Sequence, residues 1–163
     1  MPDTALITGA SSGIGAEFAR YHASKGGDVV LTARSEARLK ALAAELEAAH
    51  GIKAHVFATD LGTGEGVYAL VDEITQAGIQ IDILINNAGF GGQGRHIDRD
   101  LDDELGMIDL NTKALVALSH HFGGQMALRG AGRICRRAWL RTRSDSHSRK
   151  GRATPSKPVR FMH

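Results

Sequence analysis

Three glycines stand close together near the N-terminus, where an apolar segment gives way to a helix-forming one. The segment Thr8–Gly15 reads TGASSGIG and follows the apolar residues Ala5-Leu6-Ile7. Glycines at this spacing let the chain turn sharply and let its backbone approach an anion without a Cβ in between. They also open a helix whose N–H groups face that anion. The chemistry indicated is backbone binding of a dinucleotide pyrophosphate, and a flexible loop is the alternative.

The elements around this turn are those that a dinucleotide site requires. A helix is predicted from about Ile14 to Lys25, with a stop at Gly26-Gly27, and an apolar strand, Val29–Leu31, follows it. Strand, glycine turn, helix and strand form the βαβ unit in which dinucleotides bind. The residues assigned to the phosphate-binding turn are Gly9, Ser11, Ser12, Gly13, Ile14 and Gly15.

Further motifs follow in order along the chain. Asp60-Leu61 comes after a third predicted strand, Asn86-Asn87-Ala88-Gly89 comes after a fourth, and Asn111 lies in a later predicted helix. Together with the TGxxxGIG turn, these motifs resemble the short-chain dehydrogenase/reductase family. The resemblance covers residues 3 to about 132.

The resemblance implies a role for each of these motifs. In that family the Asp after the third strand contacts adenine, which assigns Asp60 with Leu61 to the cofactor site. The NNAG segment lines the cofactor cleft and braces the sheet, which assigns Asn86, Ala88 and Gly89. The helical Asn belongs to the catalytic tetrad, so Asn111 is the candidate catalytic residue. The alternative is that Asn111 is a surface asparagine without a functional role.

The resemblance also implies a fold and a reaction. The expected fold is an α/β Rossmann-type doubly wound parallel sheet, incomplete here, with strand order 3-2-1-4 and helices on both faces. The implied reaction is reversible hydride transfer between NADP(H) and a carbonyl or secondary alcohol. Expected partners are therefore the dinucleotide and a small carbonyl or alcohol substrate, and the family implies a homo-oligomer.

The end of the second strand bears on which dinucleotide binds. Sites that select NAD carry an acidic residue about 20 positions after the glycine turn, where it binds the ribose 2′-OH. This chain has Ala33 there, followed by Arg34, a planar cation suited to a 2′-phosphate. The sequence predicts a preference for NADP(H) over NAD(H). A solvated arginine is the alternative, and the nearby Glu36 is a candidate to neutralise Arg34.

The family's acid–base residues have no counterpart at the expected place. The family's chemistry resembles a proton relay through a Ser and a Y-x-x-x-K pair on a helix after the fifth strand. The chain has no Tyr beyond Tyr68, and its one Y-x-x-x-K, Tyr21 to Lys25, falls on the first helix. We expect no dehydrogenase activity from this chain. A non-catalytic dinucleotide-binding or interaction module is the alternative function.

Composition changes abruptly after Gly132. Residues 1–132 hold 10 Lys and Arg against 17 Asp and Glu, a net charge of −7, whereas residues 133–163 hold 10 against 1, a net charge of +9. The segment RICRRAW at 133–139 is unlike a buried parallel strand, so no fifth strand is expected. We divide the chain into an NADP(H)-binding domain, residues 1–132, and a basic tail, residues 133–163.

The origin of the predicted tail stays open. Its composition, rich in Arg and Ser, favours disorder. A reading frame shifted near Ile134, which would leave an aberrant or truncated C-terminal part, is the preferred explanation. The alternative is a genuine basic arm, which would make the protein a nucleic-acid binder, although nucleic acid is not the expected partner.

Several other classes of protein receive no support from the sequence. The single cysteine, Cys135, excludes an internal disulfide. No run of 18 apolar residues and no leader-like N-terminus are found, which indicates a cytoplasmic protein without a membrane span. His120-His121 is a poor metal-binding pair because adjacent helical residues point about 100° apart, so no metal is expected.

Overall fold

Parallel β-strands alternate with helices along residues 3–136, the part of the chain that the computed structural model describes. The strands are β1 (Thr4–Thr8), β2 (Asp28–Ala33), β3 (Ala54–Ala58), β4 (Ile83–Asn86) and β5 (Arg133–Arg136). They form one sheet in the order β3-β2-β1-β4-β5, and every neighbouring pair is parallel. The doubly wound α/β fold and the predicted order 3-2-1-4 of the first four strands are confirmed.

Helices connect the strands. They are α1 (Gly13–Ala23), α2 (Glu36–His50), α3 (Gly64–Gln76), α4 (Leu101–Ile108) and α5 (Leu115–Arg129). A 3-10 turn, His96–Asp98, precedes α4, and a π-helical segment, Asp109–Ala114, joins α4 to α5. The predicted helix that carries Asn111 is thus present, and its backbone stays helical from α4 through the π-helical segment into α5. No helix within residues 3–136 is both long enough and apolar enough to cross a membrane.

Alternate residues of the central strands enter two separate hydrophobic cores, because successive side chains of a strand point to opposite faces of the sheet. Ala5 and Ile7 of β1 pack with the buried residues of α1 and α2. Leu6, between them in the chain, packs instead with Val30 of β2 and the buried residues of α3 and α5. The central strands are therefore covered on both faces, as their almost continuous apolar sequences predict.

Strand β5 corrects the expectation that the arginine-rich segment forms no strand. Arg133 to Arg136 pair in parallel with Ile83 to Asn86 of β4. All four β5 residues are exposed, and even Ile134 retains 44% of its surface. Parallel pairing uses backbone N–H and C=O groups only, so the arginine side chains remain in solvent at the sheet edge. The rule that parallel strands are apolar fails at this edge because, among the described residues, no further strand pairs with β5 and its side chains stay exposed.

The turn before β5 is held against the amino end of β4. Arg129, the last residue of α5, donates to the carbonyl oxygen of Ile81 at 2.7 Å, and the N–H of Arg133 donates to the carbonyl oxygen of Asp82 at 2.9 Å. These contacts place residues 133–136 in the sheet. Residues 137–163 of the predicted basic tail lie outside the described residues.

Candidate dinucleotide-binding cleft

A cleft of about 520 Å³ lies at the carboxyl ends of β1 to β4. Because β1 stands between β2 and β4 in the sheet, this is the switch point at which doubly wound α/β folds bind their ligands. Residues predicted from the sequence come together here from four separate segments. Eight of them line the cleft: Gly9, Ser11, Ser12, Arg34, Asp60, Leu61, Ala88 and Gly89.

The remaining predicted site residues do not line the cleft. Gly13, Ile14 and Gly15 form the first turn of α1, Asn86 ends β4, and Asn111 lies in the π-helical segment. The lining also includes residues that the motifs do not predict. These are Ala33, Ser35, Arg38, Thr59, Phe90 and Leu110. All except Arg38 are next to a predicted residue in the chain, and this adjacency is the signal that could have identified them.

The glycine turn is packed too closely for side chains. Gly9 has a positive φ of 67°, and a Cβ there would lie 2.9 Å from the Cα of Ala88. A Cβ on Gly15 would overlap the carbonyl oxygen of Gly9 and lie 2.6 Å from the side-chain nitrogen of Asn87. At Gly13, whose φ is 56°, a Cβ would meet nothing within 4 Å, so this position faces open space. Gly9 and Gly15 are required for close packing, whereas Gly13 is required for the backbone conformation of the turn.

The turns after β1 and β4 are joined by buried hydrogen bonds. The Thr8 hydroxyl oxygen accepts from the N–H groups of Asn87 at 3.0 Å and Ala88 at 2.9 Å. In return, the Asn87 amide nitrogen donates to the carbonyl oxygens of Thr8 at 3.0 Å and Gly9 at 3.3 Å. Asn87 is only 5% exposed. The cleft wall formed by these two turns is therefore rigid.

The N-terminus of α1 is free to bind an anion. Ser12, its N-cap, has extended backbone angles, and within residues 3–136 its side chain makes no capping hydrogen bond. The first-turn N–H groups of a helix have no intrahelical partners, and the helix dipole makes this end positive. The first turn of α1 also holds no acidic residue that would oppose an anion.

Two arginines line the cleft near the carboxyl end of β2. Arg34 follows β2, and Arg38 lies in the first turn of α2 four positions later. Glu36 does not neutralise Arg34, because its carboxylate pairs with Lys40 at 2.7 Å. The hydrogen bond from Lys40 holds the pKa of Glu36 below its usual value, so Glu36 is ionised at neutral pH. Among the described residues, neither arginine forms a salt bridge.

Asn111 contacts the segment that follows β4. Its side-chain oxygen accepts from the N–H of Phe90 at 3.0 Å, and its side-chain nitrogen donates to the carbonyl oxygen of Phe90 at 2.7 Å. The π-helical segment that carries Asn111 is of a kind often found at functional sites. Asn111 therefore reaches the cleft through the backbone of Phe90, a lining residue.

Neither Tyr21 nor Lys25 of the isolated Y-x-x-x-K pattern lines the cleft. Tyr21 is 67% exposed on α1, and the Lys25 ammonium lies 5.5 Å from the centre of its ring. In the part of the chain that the structure describes, no three His, Cys, Asp or Glu side chains are grouped to hold a metal ion.

The sequence and the fold place the chain in a known family. The model of the short chain dehydrogenase family matches residues 3–136, which is most of the chain and all of its described part. The protein belongs to the short-chain dehydrogenase/reductase family.

Relatives of established name cover the same region. The chain is 38% identical over 133 residues to sulfoacetaldehyde reductase 2 of Chromohalobacter salexigens, which is 81% of this chain and 52% of that protein. It is 41% identical over 123 residues to serine 3-dehydrogenase of Agrobacterium fabrum, covering 74% of this chain and 47% of that protein. The chain thus spans about half the length of these relatives.

Solved structures show the same fold. A short-chain dehydrogenase from Sphingobium yanoikuyae in complex with NADPH has a TM-score of 0.78 and 38% identity, over 83% of this chain and 53% of that one. L-sorbose reductase from Gluconobacter frateurii, complexed with NADPH and L-sorbose, has a TM-score of 0.78 and 34% identity, over 83% of this chain and 51% of that one.

Proposed function

We propose that residues 3–136 bind NADP(H) as the cofactor part of an oxidoreductase that transfers hydride between NADP(H) and a carbonyl or secondary alcohol. The observation that carries this proposal is the cleft itself. Ser12 at the N-terminus of α1 lines it, and so do two arginines that form no salt bridge within residues 3–136. A molecule with a pyrophosphate in its middle and a further phosphate at one end matches that arrangement of positive charge.

The residues present fit such a cofactor. Gly9 and Gly15 leave room only for backbone, and the open space at Gly13 admits a ligand phosphate next to the helix N-terminus. Ser11, Ser12 and Asp60 add polar side chains to the lining, next to the backbone of Gly9.

Each predicted residue has a place in this proposal. The turn from Gly9 to Gly15, with Ser11, Ser12 and Ile14, would hold the pyrophosphate, and Asp60 with Leu61 would contact the adenine. Ala88 and Gly89 would form the wall next to the nicotinamide, and Asn86, whose amide nitrogen donates to the Ser119 hydroxyl oxygen at 3.0 Å, would brace the end of β4 behind it. When bound, the dinucleotide supplies or accepts the hydride.

The preference for NADP(H) over NAD(H) rests on Arg34 and Arg38. The position that would carry an acidic residue in an NAD site is Ala33, so nothing there favours a free 2′-hydroxyl. The structure adds Arg38 to the predicted Arg34 and pairs Glu36 with Lys40, which leaves both guanidinium groups available for a phosphate. The NADPH complexes among the similar solved structures support the same choice.

The role proposed for Asn111 is positional. Both polar atoms of its side chain already bond to the Phe90 backbone, so Asn111 holds the start of the loop after β4. The proton donor of the reaction has no counterpart in the chain, since no Tyr follows Tyr68. We therefore propose cofactor binding without turnover for this chain. We also propose a cytoplasmic location and assembly into a homo-oligomer.

A titration of the full chain with NADPH and with NADH tests the proposal. We expect NADPH to bind more tightly. Arg34→Asp should weaken NADPH binding by about tenfold and bring the two affinities together, because it removes a charge-assisted hydrogen bond to the 2′-phosphate. Lys53→Asp is the matched control, since it makes the same charge change at the amino end of β3, away from the cleft.

Three outcomes separate the alternatives. Equal affinity for NADPH and NADH in the unmodified chain would contradict the cofactor preference. Absence of binding by a folded chain would contradict the cofactor site. Turnover of any ketone or alcohol that survives Tyr21→Phe would show an acid–base group that neither the sequence nor the structure has identified.

A further inference from the structure

Residues 91–98, in the loop between β4 and α4, are attached to the rest of the protein at few points. Among the described residues, 91–98 make no backbone hydrogen bond outside the loop. All of them are exposed except Gly92, which is half-buried. Phe90, the residue before this segment, lines the cleft, so the placement of the segment affects the shape of the site.

Arg99 covers Gly92. A Cβ built on Gly92 would overlap the guanidinium carbon and nitrogens of Arg99, so the guanidinium lies directly against the glycine backbone. Gly92 has no left-handed φ that would require glycine. The reason for glycine at this position is therefore the space that the guanidinium occupies.

Glu104 of α4 holds the same guanidinium. The Nη1 atom of Arg99 lies 2.6 Å from the Oε1 atom of Glu104, and the two side chains are only 18% and 16% exposed. The pair is not aligned as a hydrogen bond, so its attraction is chiefly that of opposite charges. The Nη2 atom of Arg99 reaches the sulfur of Met107 at 3.7 Å, and His96 Nδ1 lies 3.4 Å from Glu104 Oε1. Glu104 is thus the anchor on α4.

A second ion pair in the same loop differs in burial. Arg95 and Asp98 approach to 2.6 Å, but their side chains are 76% and 53% exposed and both belong to the loop. Exposed pairs contribute little, whereas removal of one partner from a shielded pair leaves a charge with poor solvation. Of the ion pairs among the described residues, the Arg99–Glu104 pair is the one that connects the loop to a helix with both side chains shielded.

We propose that Arg99 and Glu104 are positioning residues for the cleft. Their ion pair, seated on Gly92, holds the loop of residues 91–98 on α4 and so keeps Phe90 in its double hydrogen bond with Asn111. The pair thereby sets the affinity of the cleft for its dinucleotide. This last step rests on the function proposed above.

Hydrogen exchange of the full chain without cofactor tests the positioning directly. The amide of Phe90 donates to Asn111, so its exchange rate reports whether the loop is held. Arg99→Met and Glu104→Gln should each raise that rate by about tenfold, because either change breaks the shielded pair. Amides of β1 should keep their rates. Asp98→Asn, the matched control in the exposed pair, should leave Phe90 unchanged.

Gly92→Ala gives a test that removes no charge. The added methyl group must displace the guanidinium, which is the flexible end of a side chain, so the cost to overall stability is small. Phe90 exchange should rise as in Arg99→Met, and Gly92→Ala should add nothing further when Arg99→Met is already present. Arg99→Lys keeps the charge without the planar group and should restore part of the protection.

The affinity for NADPH is the second measurement. The three variants that break the pair should weaken binding by about threefold to tenfold, and Asp98→Asn should not. Unchanged Phe90 exchange in Arg99→Met and Gly92→Ala, or an equal effect of Asp98→Asn, would overturn the positioning role. If Phe90 exchange rises in the variants as expected but the unmodified chain does not bind NADPH, the proposed function is overturned and the positioning role is not.

Discussion

Two parts of the cleft lining are held in place by different means. The wall formed by the glycine turn and the Asn87 turn is buried and joined by four hydrogen bonds between β1 and β4 segments. The wall formed by Phe90 and the loop after it depends on one asparagine and one ion pair. We name the first the rigid wall and the second, which is more exposed and held by fewer hydrogen bonds, the adaptable wall.

Gly15→Ala should break the rigid wall and have the largest effect. The new methyl group would overlap the carbonyl oxygen of Gly9, and neither that backbone atom nor the Asn87 amide can move without breaking the network. We expect a loss of roughly 3 kcal/mol in the free energy of unfolding, and loss of NADPH binding. Chemical denaturation measures the first and titration the second.

Gly26→Ala is the control for Gly15→Ala. Gly26 has open space around it, so any cost there comes from its φ of 80° alone and leaves the cleft intact. A Gly15→Ala variant that binds NADPH as well as the unmodified chain would show that the glycine turn is not a phosphate site.

Asn87→Ala should weaken the rigid wall to an intermediate degree. It removes the donor that joins the carbonyl oxygens of Thr8 and Gly9, in a place where water has little access. We expect a loss of about 1 to 3 kcal/mol in the free energy of unfolding, measured by denaturation. Gln93→Ala removes an exposed amide from the loop and should be close to neutral. Equal losses in the free energy of unfolding for Asn87→Ala and Gln93→Ala would contradict the difference between the two walls.

Asn111→Ala should have the smallest effect on global stability and a clear local one. Asn111 is half-buried and bonds only to Phe90, so its loss frees the adaptable wall and leaves the rigid wall unchanged. We expect a change of about 1 kcal/mol or less in the free energy of unfolding, with faster hydrogen exchange at Phe90. Faster exchange spread over β1 and β2 would mean that the two walls are not independent.

The residues of the rigid wall could be predicted from the sequence because each lies in a short motif whose residue types follow from local constraints. A glycine turn between a strand and a helix has few conformations open to it, and Gly9, Asp60 and Ala88 all fall at the carboxyl ends of strands. The predicted topology then brings them to one edge of the sheet.

The adaptable wall could not be predicted in the same way. Arg99, Glu104 and Gly92 belong to no motif, and their contact depends on how a loop without regular structure folds over α4. The partner of Glu36 is a similar case, since the sequence offers both Arg34 and Lys40. Only the helical spacing of four residues realised in α2 selects Lys40.

By itself the sequence determined the strands, the helices and the glycine turn, because hydrophobic periodicity and glycine conformation are local properties, and its resemblance to the short-chain dehydrogenase/reductase family supplied the order of four strands. Only the tertiary structure decided that Arg133–Arg136 joins the sheet, since backbone pairing at an exposed edge tolerates side chains that a buried strand excludes. It likewise decided that Arg38 faces the cleft beside Arg34 and that Asn111 acts on Phe90. Such contacts join residues from different segments, and their distances follow from packing rather than from spacing along the chain.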